Sequence, residues 1–156
     1  LKAAGIDFRI HIVGQQFRNI PPIFNQMKQE LGSTIGEWGF IEDTTQYFQI
    51  LAESHVVIST ALHDFQGLAI QEAVAAGCIP VVPNRLAYPE FFPETFCYHS
   101  PLSNPEKEQS ALTHTLMNLA GQHNEGRLPD PPDISHLNWA QSKPLYESIM
   151  KKFRHT

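Results

Sequence analysis

The chain has 156 residues, 42% of them apolar and 17% charged, with a formal net charge of −5. That length suffices for one domain with a real core, and that composition excludes a disordered chain. No apolar run approaches the ~18 residues of a membrane-spanning helix, and the acidic balance argues against a main nucleic-acid surface in this piece.

Leu1 to Gly5 reads as neither a signal peptide nor a natural initiator, but as the end of a helix cut at a boundary. Phe8 to Val13 alternates, turns apolar and stops at Gly14, which predicts a strand with His11 on its face rather than acting as a ligand. Pro21-Pro22 opens a helix whose stripe is Ile23, Phe24, Met27 and Leu31, closed by Gly32. Thr34 to Gly39 is a second strand. Asp43 or Thr44 then caps a helix running to about Glu53, with Tyr47, Phe48, Ile50 and Leu51 inward. Val56 to Ser59 and Ile79 to Val82 are the third and fourth strands. Strands and helices alternating over short loops predict an α/β fold, a Rossmann-like, doubly wound parallel sheet flanked by helices. Ligands of such sheets bind beyond the carboxyl ends of the strands. Three loops are expected to converge there: Gly14 to Phe17, Phe40 to Asp43, and Thr60 to Gly67.

Asn84 to Pro93 reads as a loop with a short helix near Pro89, and Phe96 to Tyr98 as a short edge strand. Asn104 or Pro105 starts a helix carrying Leu112, Leu116 and Leu119, ended by Gly121. The Pro-rich run 127–133 has the composition of a linker. Ile134 to Arg154 is helical again, kinked near Pro144, with Trp139, Leu145, Ile149 and Phe153 as its apolar face. The organisation is therefore a Rossmann-like domain over 1–126, the linker 127–133 and a helical tail over 134–156. Cys78 and Cys97 form no disulfide or metal framework; reduced, buried thiols of a cytoplasmic protein are expected. The eight histidines are scattered with no HExxH, so no metal site is expected. There is no GxGxxG, no Walker A sequence and no nucleophile elbow, which leaves Ser59 as a strand-end hydrogen-bonding residue.

One stretch carries the chemistry: the run from His63 to Val82, H-D-F-Q-G-L-A-I-Q-E-A-V-A-A-G-C-I-P-V-V. It joins two apolar strands through a polar loop and a helix closed by Gly77, and it holds two carboxylates, Asp64 and Glu72, eight positions apart. The helix is apolar almost all round, which predicts burial. Glu72 would then be hemmed in by apolar neighbours and in need of a partner. A ribose diol offers two hydroxyl donors. The helix start at Gln66, Gly67 and Leu68 offers amides suited to a diphosphate, and Gly67 permits close approach. Other readings stay open: Asp64 as an Asx-turn or cap, Glu72 paired with a structural Arg or Lys, and His63 as a plain loop histidine or a sugar or phosphate contact.

Phe65, Gly67, Glu72-Ala73, Ala75, Gly77 and Pro80-Val81-Val82 resemble the E-x7-E region of retaining family-4 glycosyltransferases of the GT-B fold. The first acid is Asp64 rather than Glu, and the Gly falls one position late. With Leu86-Ala87-Tyr88-Pro89-Glu90, the wording is similar to a narrower group, the tRNA-queuosine mannosyltransferases. The resemblance spans about residues 1–100. It implies that Glu72 holds the ribose and that Asp64 meets the donor sugar. It also implies that the Phe65, Gln66, Gly67 and Leu68 amides line the diphosphate and hexose, and that Phe40 and Ile41 meet the base. The implied reaction is retaining hexosyl transfer with no obligatory metal, mannose passing from GDP-mannose to queuosine in tRNA. The family's Arg–Lys pair and its N-terminal acceptor domain would precede Leu1. No catalytic residue is assigned within this chain, and tRNA contact and transfer are expected to need that other domain. No membrane partner is expected. Two rivals are a lipid or polysaccharide acceptor, and a non-catalytic Rossmann-like binding module.

Overall fold

A computed structural model describes residues 1–15 and 20–153. The chain is mixed α/β, and all its strand pairs are parallel. Strand β1 (Ile10–Val13) pairs with β2 (Ile35–Gly39) across helix α1 (Pro22–Leu31). Strands β3 (Val56–Ile58), β4 (Ile79–Pro83) and β5 (Cys97–Tyr98) form a second sheet in that order. The predicted parallel, Rossmann-like pattern is present, but among the described residues the ladder does not run continuously from β1 to β3. The register slips between Ile10 and Ile12, where the half-buried His11 turns its Nδ1 to accept from the Glu37 amide at 3.0 Å. His11 is thus a strand-face residue with a structural bond.

Helix α2 (Thr44–Glu53) is capped by Asp43, whose carboxylate accepts from Thr45 N at 2.8 Å. Helix α3 (Leu68–Ala75) ends in a Schellman turn: Cys78 N donates to Ala73 O and Gly77 N to Val74 O, with Gly77 at φ +109°. That turn delivers the chain into β4, which is buried along its whole length. Pro80 sits in this central strand without breaking it. Ile79 N and Val81 O bond toward β3, so Pro80 faces β5, where pairing begins only at Val82. The absent N–H therefore costs no ladder bond.

The core has two parts. One gathers Ile70, Val74, Val82, Tyr88 and Phe92; the other gathers Leu51, Ala73 and Cys78. Both cysteines are free, and burial raises both thiol pKa values. A short helix, α4 (Tyr88–Phe91), precedes β5. Helix α5 (Pro105–Asn124) is capped by Asn104 and runs three residues past Gly121, which does not end it. One glycine costs only about 1 kcal/mol in a helix of this length. Residues 127–133 hold no regular structure, and Ile134 packs on the first core cluster. After a 3-10 turn at Ser135–Leu137, α6 (Trp139–Phe153) carries Pro144 internally. The residues expected to form its apolar face, Trp139, Leu145, Ile149 and Phe153, are exposed.

Candidate functional site

The loop from Ser59 to Gly67 is fixed by a chain of side-chain bonds that begins inside the molecule. Ser59, buried at the end of β3, shares a hydrogen bond of 2.8 Å with the Tyr88 hydroxyl, and its carbonyl accepts from Tyr98 Oη at 3.0 Å. Ser59 is the expected strand-end bonding residue. Tyr88 is 1% exposed and donates onward to Asp64 Oδ2 at 2.8 Å. Asp64 Oδ1 accepts from Gln66 N at 3.1 Å and Gly67 N at 2.7 Å. Asp64 therefore makes an Asx turn just ahead of α3, whose N-cap Gly67 receives no side-chain cap bond, and three bonds take up most of the roughly four acceptor directions of a carboxylate. Partial burial raises its pKa, but the Tyr88, Gly67 and Gln66 bonds outweigh this and hold it below its ordinary value. Burial, reinforced by Asp64, pushes Tyr88 up to about 12, so it stays a donor at neutral pH.

Gly67 adopts φ +65°, and a Cβ there would stand 2.8 Å from Tyr88 Cε1. The backbone turns at this point only because no side chain intervenes. The turn leaves the Leu68, Ala69 and Ile70 amides at the start of α3 without acceptors among the described residues. Phe65, at the tip of the loop, is 100% exposed, and Leu68 is 59% exposed.

Glu72 departs from expectation. It is exposed, because Leu68, Ala69, Glu72 and Ala75 form one uncovered face of α3 while Ile70, Ala73 and Val74 face the core. The helix is apolar on both faces but buried on one. Glu72 has no cationic partner among the described residues. Its Oε2 accepts from Tyr47 Oη of α2 at 3.1 Å. The structural ion pair that the sequence left open for Glu72 is therefore not formed among the described residues.

Comparison with protein-family models gives no match. Among curated proteins, 114 residues, 73% of this chain, align at 36% identity with the tRNA-queuosine alpha-mannosyltransferase of Drosophila melanogaster. The chain resembles that enzyme. It spans 28% of that relative's length.

The other predicted residues are placed as follows. Phe40 is 63% exposed and Ile41 half-buried just beyond β2, and neither is hydrogen-bonded to the loop of residues 60–67 among the described residues. Gly14, just past β1, donates its N–H to Gly39 O at the end of β2 at 3.0 Å, which extends that strand pair; Gln16 and Phe17, at the end of the first loop, lie outside the described residues. His63 is exposed and makes no hydrogen bond among the described residues. The two best-formed hollows lie elsewhere, the larger an open groove of about 420 Å³ along α5. No group of three or more potential metal ligands occurs among the described residues, and no helix there is long and apolar enough to cross a membrane.

Sequence reasoning missed three residues that build the site: Tyr47, Tyr88 and Arg85. Arg85 donates to Ala61 O at 3.1 Å, anchoring the loop, and forms a bidentate pair with Glu108 at 2.8 and 2.9 Å. Nothing local marks their partners, which stand 23 to 29 positions away.

Proposed function

We propose that the chain is the donor-binding part of a retaining glycosyltransferase, one that moves mannose from GDP-mannose to queuosine in tRNA. The observation that carries this reading is the 36% identity to a tRNA-queuosine alpha-mannosyltransferase over 73% of the chain. The site chemistry supports it independently. In this reading the free Leu68 and Ala69 amides take the diphosphate, whose charge suits a helix N-terminus. Glu72, exposed and without a cationic partner among the described residues, accepts from the ribose hydroxyls. Phe40 and Ile41 lie beside the base. Asp64 holds the loop and keeps about one acceptor direction for a sugar hydroxyl. Stabilisation of the leaving diphosphate by fixed amides is the catalytic contribution expected of this part, with no obligatory metal. The tRNA and the remaining catalytic groups are assigned to a separate acceptor domain of the same enzyme.

Titration with GDP, UDP, GDP-mannose and UDP-glucose, followed by calorimetry, tests the donor assignment. Guanosine forms are expected to bind more tightly than uridine forms, and weakly on this chain alone. A uridine preference would overturn the mannose assignment. Mannosyl transfer to queuosine-containing tRNA by the isolated 156 residues would overturn the division of labour. A complete absence of nucleotide affinity would favour the non-catalytic module, a reading that Asp64's engagement with its own loop also favours.

A further inference from the structure

The Tyr47 ring is half-buried against the Leu51, Ala73 and Cys78 cluster and meets Phe48 edge-on at 5.3 Å between centroids. Its position is set by the core, not by solvent. Only its hydroxyl reaches the open face of α3, where it donates to Glu72 Oε2 at 3.1 Å. Burial first, then the Glu72 bond, raises its pKa, so it remains a donor at neutral pH. Glu72 itself has no other anchor: it is exposed, carries no ion pair among the described residues, and its Oε1 makes no hydrogen bond there.

We propose that Tyr47 is a positioning residue for recognition of a vicinal diol: its core-anchored hydroxyl fixes the Glu72 carboxylate so that the free oxygen accepts from a nucleotide's ribose hydroxyls. An exposed glutamate samples several rotamers, and a ligand that must select one binds less tightly. Tyr47 makes that selection before the ligand arrives. The phenol oxygen also keeps acceptor capacity that a second hydroxyl can use. The proposal rests on the donor-binding reading above and adds the residue that sets its sugar selectivity.

The test is the ratio of affinities for GDP and 2′-deoxy-GDP, measured on the unmodified chain, Tyr47→Phe and Glu72→Gln, with circular dichroism to verify folding. The unmodified chain is expected to prefer GDP by about tenfold, the order of one hydrogen bond to a charged group. Tyr47→Phe keeps the ring in the core and is expected to reduce that preference to about two- or threefold. Glu72→Gln is expected to reduce it as far or further. A purely structural role for Tyr47 would weaken both ligands equally and leave the ratio intact, which overturns the proposal. If the unmodified chain discriminates and Glu72→Gln does not, while Tyr47→Phe retains the full ratio, only the Tyr47 assignment fails. If the unmodified chain binds both nucleotides alike, the ribose role of Glu72 fails with it.

Discussion

Asp64 and Glu72 are eight residues apart and live in opposite circumstances. Asp64 spends its oxygens on two loop amides and a buried phenol; Glu72 has one phenol and open solvent. The difference gives distinct mutational signatures. Tyr88→Phe keeps the buried ring but strips a partner from both Ser59 and Asp64, and is expected to cost about 1–3 kcal/mol in urea unfolding. Glu72→Gln, on an exposed face, is expected to shift the same transition by less than about 0.5 kcal/mol while weakening nucleotide binding. The acid limb of stability should report Asp64. Its folded pKa lies below its ordinary value, so the stability it contributes is present above about pH 4 and is lost as pH falls through the lower folded value. Glu108, lowered chiefly by its bonds to Arg85, contributes with the same sign. Asp64→Asn should therefore lower stability at pH 7 and make the fall between about pH 5 and pH 3 shallower, as read from urea midpoints across that range.

At the scale of elements, α3 depends on its entry. Gly67→Ala would force a Cβ into left-handed backbone and against a ring that is itself buried. We expect a loss of about 2–4 kcal/mol, seen as a lower Tm. The element caps were largely legible in the sequence: Asp43 and Asn104 start their helices as side-chain chemistry dictates, and Gly77 closes α3 because its left-handed backbone is needed there. The exposure of Glu72 was not legible. A run such as Leu68-Ala69-Ile70 reads as buried on both sides unless one knows which neighbouring surfaces exist, and here one face of α3 has none among the described residues. Gly121 misled for a different reason. Helix punctuation by glycine is a matter of about 1 kcal/mol, easily overridden by the turns on either side.

On the scale of the whole molecule, the parallel order and the core could be anticipated because β4 is apolar throughout. The interruption between β1 and β3 could not, since pairing between distant strands leaves no local trace. Helix α6 rests mainly on its own preceding turn and leaves its apolar side chains exposed. Deleting residues 139–156 while keeping Ile134 should change Tm by no more than about 2 °C. Tyr88 has a wider reach than its place on a four-residue helix suggests. One phenol ties the end of β3 to the loop beyond it, while its ring sits against the start of the next helix. The Gln66 and Gly67 amides should therefore exchange with deuterium only in the slow, global opening of the core, although they adjoin Phe65, whose side chain is fully exposed. A loop open to every encounter with solvent would then carry some of the most durable protection in the protein.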